Sequence, residues 1–259
     1  MGNMKTSARM SIRSERTMAL ILSGALCLCV SLAHAQAGRP DFTGAWGNFS
    51  TERIDRASAL PPGEMRLNVA GRSARQDFLS VTEGTNHGAG NACLGSGTPE
   101  STLRSGIYPM EVIQRPEQLL LIFESRNEIR RIYIGDAARD PEAFFPERNG
   151  YSTAHWEGDR LVVMTTRLKT QVDSRYPHTS DATIREVFYL DDPLEDGTRV
   201  LVDELTLTDP TWLETPFKTT KRWQELPDYH VLSYECNEPE WLDEMKMLYD
   251  AAGLEMVQE

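Results

Sequence analysis

What the chain lacks narrows its chemistry first. It has no Gly-x-Ser-x-Gly, no Walker loop and no dinucleotide fingerprint, which argues against serine-hydrolase, nucleotide-driven and Rossmann redox chemistry. No His-x-His, His-Glu-x-x-His or Cys-x-x-Cys spacing occurs either. A metal would therefore need ligands gathered from distant strands, with Glu111, Glu124 and Glu186 as available carboxylates, and no cofactor is expected. Positive charge is also scarce: 27 Lys and Arg stand against 39 Asp and Glu, a net charge of −12. Such a surface repels phosphate backbones and anionic lipid, so nucleic acid and membrane surfaces are not expected partners.

Long apolar runs are missing as well. The one run of note, Met18 to Leu32, is 15 residues long, too short to span a bilayer comfortably. Lys5, Arg9, Arg13 and Arg16 precede it, and Ala33-His34-Ala35 follows, the small residues a signal peptidase reads. Residues 1–35 therefore read as a secretory signal peptide and 36–259 as one domain, periplasmic or secreted, with no stable membrane insertion after cleavage. Those 35 residues carry four of the basic and one of the acidic side chains, so the remainder stands at −15. Of four cysteines, Cys93 and Cys236 lie beyond the leader. An even pair in an oxidising compartment reads as one disulfide, joining an early loop to the end of the last expected strand.

Residues 51–107 are rich in Gly and Pro and read as a long irregular region, with a short helix near Ala70 to Leu79. Alternating segments then follow closely. Strands are expected over Thr43 to Ser50, Tyr108 to Arg115, Gln118 to Glu124, Glu128 to Ile134, Ser152 to Glu157 and Arg160 to Thr166, then over Ala182 to Leu190, Thr198 to Thr208, Phe217 to Glu225 and Val231 to Cys236. A helix is expected from Pro239, with Gly253 as its stop. About ten antiparallel strands in hairpin order, with a C-terminal helix, predict a mainly β fold: an up-and-down barrel, with a β-sandwich as the alternative. Gly44-Ala45-Trp46 resembles the Gly-x-Trp signature at the closed end of lipocalin barrels. That resemblance implies an arginine set against the tryptophan, a role Arg222 beside Trp223 could fill.

Several blocks occur in a familiar order: Asp41-Phe42-Thr43-Gly44-x-Trp46, Cys93-Leu94-x-x-Gly97-x-Pro99, Tyr108-Pro109-x-Glu111-Val112-x-Gln114, Arg130-Arg131-Ile132-Tyr133 and Trp156-Glu157-Gly158-Asp159-x-Leu161-Val162-Val163, completed by Pro177-His178-Thr179 and Glu186. Over most of residues 41–236 this pattern resembles a widespread, largely uncharacterised family of exported bacterial lipocalin-like β-barrel proteins. The resemblance implies the fold and export, and no common activity. Relatives often carry Gly-His-Ser where this chain has Gly150-Tyr151-Ser152, and Arg where it has His155.

Beyond the leader the histidines are His87, His155, His178 and His230. Histidine titrates nearest neutrality, so His155 and His178 are candidate acid–base groups, with Tyr151 and Glu186 beside them. His155 shares a strand face with Thr153 and Glu157, and would be lumenal if that face turns inward. Arg130 and Arg131 are adjacent on a strand, so one points inward and must meet a carboxylate or a ligand. Glu111 and Glu124, on neighbouring strands, are its expected partners, while Tyr108 and Tyr133 could line a pocket. Two functions fit: a barrel pocket for a small apolar or aromatic molecule, or a cofactor-free lyase, isomerase or hydrolase using histidine in that pocket.

Overall fold

The computed structural model describes residues 38–49, 65–85, 92–236 and 238–254. The leader and His87 lie outside the described residues. From Pro40 onward the chain forms one compact unit. Nine strands close into a barrel in sequence order: β1 (Gly44–Asn48), β2 (Met110–Arg115), β3 (Gln118–Phe123), β4 (Glu128–Ile134), β5 (Tyr151–Glu157), β6 (Arg160–Thr166), β7 (Thr183–Asp191), β8 (Val200–Thr208) and β9 (Phe217–Glu225). Among the described residues three α-helices accompany them: α1 (Val69–Thr82), α2 (Glu100–Arg104) and α3 (Glu238–Ala251).

The strand order follows the sequence reading with two differences, and α2 is a helix inside the region read as irregular. Every neighbouring pair is antiparallel except β4–β5, where Ile132 to Ile134 run parallel to Ser152 to Ala154. The segment between them, residues 135–150, is long enough to return the chain to the same end of the barrel, which a short hairpin turn cannot do. The second difference is the expected tenth strand, Val231 to Cys236, which is not a strand. The free edge of β9 is taken instead by β1, with Trp46 opposite Glu225 and Asn48 opposite Trp223. Closing the barrel leaves that tail no edge to join.

The lipocalin-like arginine is also a different residue. Arg199, just before β8, lies over the Trp46 ring at 5.2 Å. It donates to the carbonyls of Asp41 at 2.7 Å and Thr43 at 2.8 Å, and pairs with Glu225. Arg222 points outward over Phe49 and pairs with Asp191. Adjacent residues of a strand face opposite ways, so Arg222 cannot share the lumen with Trp223.

Period-two alternation fills the barrel from within. One apolar cluster gathers Trp46, Val112, Leu121, Ile132, Val163, Phe188, Leu201 and Trp223. A second gathers Leu103, Ile184, Leu205, Leu207 and Phe217. Polar residues separate the two along each strand that reaches both. Glu186 lies between Ile184 and Phe188, Asp203 between Leu201 and Leu205, and Thr219 with Lys221 between Phe217 and Trp223. Arg130, Ser152 and Thr165 continue this buried polar belt on β4, β5 and β6.

Candidate functional site at the barrel rim

The belt is organised around Arg130, which is 1% exposed. Its Nη1 donates to Glu186 Oε1 at 2.7 Å and to Thr102 Oγ1 at 3.2 Å. Nη2 donates to the other oxygen of Glu186 and to Thr165 Oγ1 at 2.9 Å, and Nε to Ser152 Oγ at 3.3 Å. Burial works against the guanidinium charge, and the Glu186 carboxylate more than offsets it. Asp203 stands nearby with neither carboxylate oxygen hydrogen-bonded; the Val187 N–H favours its anion without closing a bond of ordinary geometry. Burial, and then the Glu186 charge, push the Asp203 carboxyl well above the usual range. Arg130 thus lies near two carboxyls and is bonded to one of them, and the surroundings of Asp203 favour its protonated form.

Thr102 links this belt to the barrel mouth. It belongs to α2, where Thr102 and Leu103 are fully buried. Arg104 and Ser101 of the same helix line a cavity of about 310 Å³ at the rim. Its other walls include Ser105, Ile107 and Tyr108 after α2, Phe123, Ser125, Arg126 and Glu128 at the β3–β4 turn, Arg175, and Tyr234 of the tail.

Local chemistry fixes each wall. Arg126 and Asn127 adopt φ of 62° and 49°, left-handed values that asparagine tolerates better than most side chains. The Asn127 amide then clips the tail: Nδ2 donates to the Tyr234 carbonyl at 3.0 Å, and Tyr234 N donates to Asn127 Oδ1 at 3.1 Å. This sets Tyr234 edge-on against Tyr108, with ring centroids 5.8 Å apart. The Cys93–Cys236 disulfide joins the same tail to the loop before Ser96. Gly97 turns that loop at φ 74°, where an added Cβ would sit 2.6 Å from the Arg148 carbonyl. Glu128 accepts from Gly97 N at 2.9 Å and from Ser101 Oγ, so both of its oxygens are engaged. Arg104 pairs with Glu100 at 2.9 Å, and Glu100 also accepts from Ser174 Oγ and Arg175 N.

The residues singled out from sequence fall into separate places. Arg130 and Glu186 meet inside the barrel, while Arg131 faces outward. Arg130 therefore finds its carboxylate on β7 and not at Glu111 or Glu124. Glu111 is half-buried on the outward face of β2, and Glu124 accepts from Tyr229 Oη and Leu232 N. His155 is on the outward face of β5, exposed, with Nε2 3.0 Å from Glu157. His178 is buried before β7, its Nδ1 against the Tyr176 carbonyl at 2.8 Å and its Nε2 3.3 Å from Gln171 Nε2. That pattern assigns the proton to Nδ1, and burial lowers the pKa, leaving a neutral ring. Tyr151 accepts from Arg139 N at 2.7 Å and stacks with Phe144 and Tyr133. Of the sequence candidates Tyr108 lines the rim cavity, and His155, His178 and Tyr151 do not.

Arg104, Arg126, Arg175 and Tyr234 were not visible as a group in the sequence. The available signal was the cysteine pair, because a bridge makes neighbours of the residues flanking Cys93 and Cys236. Among the described residues, no three His, Cys, Asp or Glu side chains converge to hold a metal, and no helix is long and apolar enough to cross a membrane. No protein-family model, curated protein or solved structure matches the chain.

Proposed function

We propose that this is an exported binding protein whose small-molecule site is the rim cavity and not the barrel lumen. The observation that carries the reading is the contrast in filling. Inward positions hold their own side chains, buried and mutually bonded, whereas the mouth holds a concave space of about 310 Å³ walled by Tyr108, Phe123, Ile107 and arginines. Mixed aromatic and charged walls at the small end of the ligand-pocket range suit one compact ligand. Export is supported by the basic, apolar and Ala-His-Ala order of residues 1–35 and by the disulfide. The same features, with the closed barrel, support membership of the exported barrel family that the sequence blocks resemble. Histidine catalysis has less support, since His178 is engaged on both ring nitrogens and His155 is solvent-facing.

The test uses the full chain expressed with its own leader. Cleavage after Ala35 is expected in the mass of the recovered protein. A thermal-shift and NMR screen of small aromatic and aliphatic compounds is then run on it and on Ser125→Trp, which fills the cavity. Compounds that bind are expected to lose binding in Ser125→Trp; hits that persist unchanged would move the site elsewhere.

A further inference from the structure

We infer that the ligand of the rim cavity is a small aromatic carboxylate; this rests on the rim site proposed above and names its chemistry. Three guanidiniums line the cavity in a protein of net charge −12. Arg104 is already paired with Glu100. Glu128, the carboxylate on the wall, has both oxygens engaged by Gly97 N and Ser101 Oγ. Arg126 and Arg175 have no carboxylate within ion-pair distance among the described residues.

Arg126 is the more specific of the two. Its Nη1 donates to the neighbouring Ser125 Oγ at 3.2 Å, while Nε is shielded from solvent and meets no acceptor. A guanidinium presents its terminal N–H groups as a fork that a carboxylate fits in two parallel bonds. Arg175 is exposed at the mouth and supplies a second positive charge. The same cavity is lined by Tyr108 and Tyr234, which meet edge to face, and by Phe123 and Ile107. Ring faces of this kind take a flat apolar body, so one ligand with a carboxylate head and an aromatic ring satisfies both kinds of lining residue.

Binding of benzoate, benzamide and inorganic phosphate is measured by NMR titration on the full chain and on Arg126→Gln, Arg175→Gln and Tyr108→Ala, with circular dichroism confirming that each variant folds. Benzoate is expected to bind at least about tenfold more tightly than benzamide, and each arginine variant to weaken it about tenfold, as loss of a charge-assisted hydrogen bond implies. Tyr108→Ala weakens benzoate and benzamide alike. Equal binding of benzamide, with arginine variants silent and Tyr108→Ala effective, overturns the anionic class and leaves the rim site standing. Phosphate competing as well as benzoate overturns the aromatic class and favours a phosphate site. Binding unmoved by all three variants, or no binding of any probe, overturns the rim site itself.

Discussion

Arginine has different surroundings in two parts of this molecule. Inside the barrel every nitrogen of Arg130 has a partner, supplied by Glu186, Ser152, Thr165 and Thr102. At the rim, Arg126 and Arg175 meet no carboxylate among the described residues, and the Arg126 Nε meets no acceptor. A charge removed from water must be matched by its surroundings, so the interior arginine is fully committed to the fold. A charge near the surface is solvated at little cost, so the rim can leave cations uncommitted. The difference separates a residue that holds the barrel together from residues free to recognise something else.

The hardest way to break that contrast is at Arg130. Replacing it by leucine leaves the Glu186 carboxylate buried without its guanidinium, and loss of one partner of a buried pair costs about 3–5 kcal/mol. Urea unfolding of Arg130→Leu is expected to show this loss, while Arg175→Gln at the rim stays within about 0.5 kcal/mol of the parent. A loss at Arg130 as small as that at Arg175 would erase the distinction.

A second prediction concerns Lys221, which is 5% exposed, donates to Asn48 Oδ1 at 3.1 Å, and has its pKa lowered by burial from 10.5 to about 8. The unfolded chain holds that proton up to about pH 10.5 and the folded chain releases it near pH 8. The unfolded state therefore binds more protons between these values, so stability rises with pH across that window. The shift corresponds to about 3 kcal/mol. Lys221→Met is expected to remove the rise and to be more stable than the parent below pH 8, as read from denaturation midpoints between pH 7 and 11.

The smallest effect sharpens the outer limit. His155 is exposed and paired with Glu157 in water, so His155→Ala should change stability by no more than about 0.5 kcal/mol and leave rim binding unaltered. A loss of binding in this variant would tie the outer face of β5 to the site.

The strands were legible because each alternates apolar and polar residues, and the Arg130-Arg131 pair announced one inward charge. Its partner was not legible. Neighbouring inward positions on β3 and β2 are Leu121 and Val112, and Glu186 reaches Arg130 across the lumen from 56 residues away. Pairing across a barrel depends on curvature and register, which a local pattern does not carry. The rim cavity was hidden for a related reason. Its walls come from α2, the loop after it, the β3–β4 turn, residue 175 and the tail, and each segment alone reads as an ordinary polar connection. The histidines drew attention through their titration range, yet one is a solvent-facing strand residue and the other a hydrogen-bonded core residue.

The closure of β9 onto β1 has a consequence in time. Every other neighbouring strand pair except β1–β2 is separated by a short or moderate connection, but Trp46 must wait for Glu225 to complete its ladder. A chain emerging amino end first can zip β2 through β8 progressively, while β1 keeps an unpaired edge until nearly the whole sequence is present. Contacts so far apart in sequence are paid for late and slow the search for the native state. The rim is finished later still, because the tail that carries Tyr234 follows β9. Of the residues that wall the rim cavity, Tyr234 is thus the last to emerge.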